Sequence, residues 1–201
     1  NKYIFSLRRL DPTKGIHILI KAFKTVAESY PQLRLIVAGD GSEKPKLEKL
    51  VHTLRLDGKV DFIGTIDLRR GISLLKSAEL TVVPSLSEAG GLINIEAQAA
   101  GCPVVASKAG GIPEYVRDGI SGLLCESENV ADLSEKIMRL LGNKKLKNAI
   151  VKEGLIHAQK FDWKILGPQY LSLYDELVKE FKYKKLCPDD LFKKMWTNLN
   201  K

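Results

Sequence analysis

Cysteine is scarce in this 201-residue chain, with three residues far apart at Cys102, Cys125 and Cys187. That spacing gives neither a disulfide framework nor a zinc pattern, so reduced cytosolic thiols are expected. Histidine is equally scarce. His17, His52 and His157 fall on separate helix-like segments with no ligand spacing between them, and no metal site is expected. No apolar run approaches the roughly 18 residues of a membrane span, and no signal-peptide pattern opens the chain. Internal repeats and low-complexity segments are absent as well. The chain also lacks an initial Met: it begins at Asn1 and runs at once into the strand-like Tyr3–Leu7, from which a piece of a longer protein is expected.

What is present suits a folded core. Apolar residues make up 44% and charged residues 28%, the balance of a soluble globular protein. The net charge of +8 is concentrated late, since Asn143 onward holds 13 Lys against 7 acidic residues and carries +6 of it. These lysines are scattered at helical spacing without a nucleic-acid motif. They read as a solvated helical face, and no nucleic-acid partner is expected.

Apolar runs and helical patterns alternate along most of the chain. Strands are expected at Tyr3–Leu7, Leu33–Ala38, Val60–Ile63, Leu80–Val83, Val104–Ala106 and Gly122–Cys125. Most of these runs are continuous, as in strands covered on both faces. Helices fit Gly15–Tyr30, Glu43–Leu54, Leu68–Ser77, Gly91–Ala100, Ile112–Val116 and Val130–Leu141. Repeated strand–helix units with short joints predict an α/β, Rossmann-like, doubly wound parallel sheet of about six strands with helices on both faces. After Leu141 the strands stop. Helices are expected at Lys145–Gln159 and Trp163–Lys182, and a last short one at Leu191–Leu199. The expected division is a ligand-binding domain over 1–180 and a helical or irregular extension over 181–201.

One stretch carries the chemistry. Pro84 to Ala99 runs from the end of an apolar strand, through Gly90-Gly91, into a helix-forming segment. Glycines let the backbone approach a ligand, and unpaired N–H groups at a helix start favour anions. Glu88 and Glu96 stand eight residues apart across this turn. In an open parallel sheet the ligand edge also receives the loop Arg8-Arg9-Leu-Asp-Pro-Thr-Lys14-Gly15, the turn Gly39-Asp40-Gly41 and the segment Gly64-Thr-Ile-Asp67. A helix N-terminus supplies only about 0.3–1 kcal/mol to an anion. Micromolar binding needs about 8 kcal/mol, so cations from the first loop must share the load through charge-assisted hydrogen bonds. Acidic side chains would accept from sugar hydroxyls. The group accommodated most economically is a nucleoside diphosphate bearing a second sugar.

Eight pieces occur together in order: Arg9-Leu-Asp-Pro-Thr-Lys14-Gly15, Gly39-Asp-Gly41, Val60-Asp-Phe-Ile-Gly64, Pro84-Ser85, Glu88 with seven residues before Glu96, Gly101-Cys-Pro-Val-Val-Ala106, Gly110-Gly111 and Asp118-Gly-Ile-Ser-Gly122. With Phe161-Asp-Trp163 and Gln169-Tyr-Leu-Ser-Leu-Tyr174, this resembles the C-terminal, donor-binding half of a retaining glycosyltransferase of family 4, with the GT-B fold. The resemblance covers roughly residues 3–180. It implies that Arg9, Lys14 and Glu88 are the catalytic set, the two cations binding the donor diphosphate and Glu88 holding hydroxyls of the transferred sugar. It further implies that Glu96 holds the ribose and that Thr65 and Ile66 flank the base. Gly90, Gly91, Leu92 and Ile93 would form the turn whose backbone N–H groups meet the diphosphate.

The same resemblance implies a UDP- or GDP-linked donor, no cofactor and no divalent metal. It implies transfer of a hexosyl or N-acetylhexosaminyl unit to a glycan or lipid acceptor, with the acceptor half of the enzyme absent from this chain and little transfer by this chain alone. The location implied is cytoplasmic, peripheral to the inner face of a membrane where the acceptor is a lipid. A stand-alone nucleotide-sugar sensor without transfer is the alternative. Two departures stand out: the family often has Gly where Arg8 stands, and an aromatic where Gly90 stands. Arg8 is expected either to add a phosphate contact or to crowd the donor, and Gly90 to leave a looser turn and a less walled sugar pocket.

Overall fold

A computed structural model describes residues 2–183, the last three as helix backbone only. The expected strands form at Tyr3–Leu7 (β1), Arg34–Ala38 (β2), Val60–Phe62 (β3), Leu80–Val83 (β4), Val104–Ser107 (β5) and Leu123–Cys125 (β6). All are parallel, in the order β3-β2-β1-β4-β5-β6. The strand order therefore reverses between β1 and β4, and the crevice beyond their C-terminal ends is where such sheets take ligands. Only Ile4–Leu80 and Phe5–Thr81 pair directly there. Two buried hydroxyls tie the same strands together: Ser6 Oγ donates to the Val82 carbonyl and Thr81 Oγ1 to that of Phe5, both at 2.9 Å.

Helices follow each strand: Ile16–Ser29 (α1), Lys44–Thr53 (α2), Leu68–Ser77 (α3), Ile93–Ala99 (α4), Ile112–Tyr115 (α5) and Val130–Gly142 (α6), then Lys144–Gln159 (α7). The alternation along β1 explains the two cores. Ile4 points to a cluster with Leu19 and Phe23 of α1, Leu47 of α2 and Ile137 of α6. Phe5 points to the other, with Leu75 of α3, Ala97 of α4 and Ile112 of α5. Continuous apolar strands thus fit a sheet covered on both sides. Local signals set the helix starts. Asp67 caps α3 by accepting from the Arg70 amide at 2.8 Å, and Asn129 caps α6 by accepting from Asp132 at 3.0 Å.

The described residues fall into two compact units that divide after Gln159. Within the second, Trp163–Tyr183 forms one helix (α8) that contains Pro168. Its entry is shaped by Asp162, whose carboxylate accepts from the Lys164 amide at 2.8 Å. The short helix expected at Leu191–Leu199, the 181–201 extension and Cys187 lie outside the residues whose side chains are described.

Candidate functional site

Tight loop packing builds the crevice. The residues after β1 turn through Arg8 and Arg9 into a single 3-10 turn at Pro12–Lys14, capped by Asp11 and closed by Gly15 at φ 66°. A Cβ on Gly15 would overlap the Pro84 carbonyl, so glycine is what lets the two loops touch. The Leu86 amide completes the joint by donating to the Thr13 carbonyl at 2.7 Å. Gly39-Asp40-Gly41 is a buttress from the other side: the Leu10 amide donates to the Asp40 carbonyl at 2.9 Å, and the Glu43 amide to that of Leu10 at 3.0 Å.

Two cavities open at this edge, both against Leu7. The first, about 640 Å³, is lined by Arg8, Arg9, Lys14, Glu88, Gly90, Gly91, Leu92 and Tyr115. The second, about 390 Å³, is mainly apolar, with Ile66, Leu68, Gly71, Ile72 and Leu75 on its walls and Glu96 at its edge. The structure brings Arg9, Lys14, Glu88, Gly90, Gly91 and Leu92 around one space and Ile66 and Glu96 around its neighbour, so Glu88 and Glu96, expected on one crevice, line separate cavities. Thr65 is exposed and lines neither cavity. The Ile93 side chain packs into the core instead, at 7% exposure. The amides of Gly91, Leu92 and Ile93 have no acceptor among the described residues.

Charge in the larger cavity converges on one carboxylate oxygen. Glu88 Oε2 accepts from an Arg8 Nη2 hydrogen bond, from Lys14 Nζ at 3.1 Å and from Ser85 Oγ at 3.2 Å. Arg8 Nη2 also donates to Ser85 Oγ at 2.7 Å, whereas the buried Arg8 Nε has no partner. Burial pulls the Arg8 guanidinium down to about 10, with Asp11 opposing and Arg9 adding to the shift, so it stays charged at neutral pH. Burial and then the Arg8 charge lower the Lys14 ammonium in the same way. Arg9 behaves differently. Its side chain is 82% exposed and reaches Asp11 at 3.5 Å, so it stands at the mouth while Arg8, at 8% exposure, fills the floor.

A less walled pocket was expected at Gly90, but the Tyr115 ring stands beside it. A Cβ at that position would sit 2.7 Å from Tyr115 Cε2 and 3.0 Å from its Oη, because the Tyr115 ring already occupies the space. Tyr115 was missed from sequence. The only signal was its place four residues after Gly110-Gly111 in a segment that resembles the family.

Residues 1–156 match the sequence profile of the glycosyl transferases group 1. The chain belongs to that family. It is 32% identical over 183 residues to the D-inositol 3-phosphate glycosyltransferase of Corynebacterium urealyticum, covering 88% of this chain and 43% of that protein. Among solved structures it is similar to Anabaena Alr3699/HepE in complex with UDP and glucose, with a TM-score of 0.81 and 28% identity, covering 88% of this chain and 48% of that one. It is also similar to the C-terminal domain of the group 1 glycosyl transferase LpcC from Francisella tularensis, with a TM-score of 0.72 and 30% identity, covering 79% of this chain and 85% of that domain. The chain thus spans less than half the length of the Corynebacterium and Anabaena relatives, and its six-stranded parallel sheet with helices on both faces is the Rossmann-like fold of its GT-B neighbours. No described helix of this glycosyltransferase domain is long and apolar enough to cross a membrane.

Proposed function

We propose that this domain binds a nucleotide-diphosphate sugar and serves as the donor half of a retaining glycosyltransferase. One observation carries the reading: a cationic cavity and an apolar cavity share the Leu7 wall at the topological switch point. A nucleotide-sugar has the same division. Its base and ribose suit the apolar cavity, with Ile66 beside the base and Glu96 accepting from ribose hydroxyls. Its diphosphate suits the cavity of Arg9 and Lys14, whose two positive charges match the two negative charges of the linkage. Arg8 is then the counter-ion of Glu88, and Glu88 Oε1, which has no partner among the described residues, accepts from a hydroxyl of the transferred sugar.

In the transfer step the bond between the anomeric carbon and the diphosphate oxygen breaks while an acceptor hydroxyl oxygen bonds to the same face of that carbon. The acceptor proton passes to the departing phosphate. Arg9, Lys14 and the amides of Gly91, Leu92 and Ile93 stabilise the charge that develops on the leaving group, so the reading calls for no metal. A hexosyl or N-acetylhexosaminyl unit passes to a glycan or lipid acceptor held by the other half of the enzyme, in the cleft between the halves.

Calorimetric titration with UDP, GDP and ADP tests this reading. Binding of one nucleotide, weakened in both Lys14→Ala and Glu96→Ala, supports it and names the base. No heat with any nucleotide from a folded sample, or equal binding by wild type and both variants, overturns it.

A further inference from the structure

We propose that the Tyr115 ring is the aromatic wall of the sugar subsite and decides which sugar faces it accepts, a role that rests on the nucleotide-sugar reading above. Gly90 has no side chain, and the point where its Cβ would stand is 2.7 Å from Tyr115 Cε2 and 3.0 Å from Cζ and Oη. A side chain at position 90 would therefore require the Tyr115 ring to shift. In this chain the ring holds the space, and it lines the cavity together with Glu88, Arg8 and Lys14.

The ring is held there by its surroundings. Gly110 and Gly111 press against the backbone of Glu88 and Ala89 so closely that a Cβ on either would overlap a carbonyl oxygen. The Gly111 amide donates to the Glu88 carbonyl at 3.0 Å. That contact seats the start of α5 on the 88–90 turn, and Tyr115 follows one turn later. Gln98 of α4 fixes the other end, its Nε2 donating to the Tyr115 carbonyl at 2.7 Å, and Val116 is fully buried. Backbone packing on both sides thus sets position 115.

The cavity then has two unlike walls. Glu88, held by Arg8, accepts from sugar hydroxyls and Lys14 donates to phosphate oxygens, while Tyr115 offers the face of a ring. A hexopyranose has matching surfaces, with hydroxyls at its edge and a patch of C–H groups on one face. An aromatic ring contributes to such an apolar contact beyond its area alone. The ligand class is a hexopyranosyl donor whose C–H face is turned toward α5.

The test is calorimetry on the 201-residue chain with UDP against UDP-glucose and GDP against GDP-mannose, alongside thermal melts of each variant. For whichever pair binds, Tyr115→Ala and the bulkier Tyr115→Leu should raise the ratio of sugar-nucleotide Kd to bare-nucleotide Kd about fivefold. Bare-nucleotide affinity should stay within about twofold, and Tyr115→Phe should keep most of the wild-type ratio. Gly90→Phe should lower the melting temperature, and adding Tyr115→Ala should restore it, since no ring then has to be displaced. An unchanged ratio in folded Tyr115→Ala and Tyr115→Leu, or additive melts in the double variant, overturns the wall while leaving nucleotide binding standing. Absence of heat with every probe overturns the nucleotide-sugar reading, and the wall with it.

Discussion

Arg8 and Glu88, eighty positions apart in sequence, form the most buried ion pair among the described residues, with side chains 8% and 13% exposed. The neighbouring pair Arg9–Asp11 involves an arginine that is 82% exposed. Breaking a buried pair from one side costs about 3–5 kcal/mol when the other charge is left alone. Here Lys14 and Ser85 remain on Glu88, so Arg8→Met should cost less, about 1–3 kcal/mol. Arg9→Ala should stay within about 0.5 kcal/mol. Urea unfolding at constant slope measures both. An Arg9 variant that is the less stable of the two would contradict the assignment of floor and mouth.

Gly110→Ala should be among the costliest single changes at the site. Its φ is 52°, and an added Cβ would overlap the Glu88 carbonyl oxygen, a backbone atom with little freedom to yield. A loss of about 2 kcal/mol or more is expected. By contrast Gly119→Ala, at φ 71° but with nothing within 4 Å of the new Cβ, should lose only about 1 kcal/mol from backbone strain. Equal midpoints for the two in urea would show that the approach of residue 110 to the 88–90 turn is not tight.

Gly71 separates stability from binding. It lies inside α3, and its added Cβ would make only ordinary contact, 3.5 Å from Leu7 Cδ2 and 3.8 Å from Ile66 Cδ1. Gly71→Ala should therefore stabilise the helix by about 0.5–1 kcal/mol. A larger Gly71→Leu side chain would extend into the apolar cavity and should abolish nucleotide heat while the fold persists by circular dichroism. Undiminished nucleotide binding by Gly71→Leu would place the base elsewhere.

Cys102 and Cys125 should be inert in the native protein. Burial pushes both thiols up to about 12 from an ordinary 9.0, so at pH 8 only about one in ten thousand is thiolate. Peptide mapping after N-ethylmaleimide treatment at pH 8 should find both unmodified in native protein and both labelled in urea. The raised values also set a sign. The stability these thiols contribute is fully present below pH 9 and is lost as pH climbs toward 12, because the unfolded chain releases its protons first. A urea midpoint that rises between pH 9 and 10.5 would contradict that direction.

The order of strands and helices was legible from sequence because burial on two faces demands continuous apolar runs and burial on one demands helical spacing. Leu80–Val83 and the α1 pattern of Ile16, Leu19, Ile20 and Phe23 state those demands locally. That the cation loop, Glu88 and Glu96 gather at one edge of the sheet was also legible from the strand–loop–helix order, but their division between two cavities was not. Which of two adjacent arginines lies on the cavity floor was not legible. Arg8 and Arg9 are identical in type, and only the direction of the chain leaving β1, fixed by the Arg8 amide on the Ala38 carbonyl at 2.9 Å, sends the first to the floor and the second to the mouth. Nor did Gly90 reveal its partner, because Tyr115 arrives from α5 across a long-range contact. Local pattern fixed the elements of this protein, but side-chain direction and the exchange of a missing side chain for a distant ring depend on three-dimensional packing, which no short window of sequence contains.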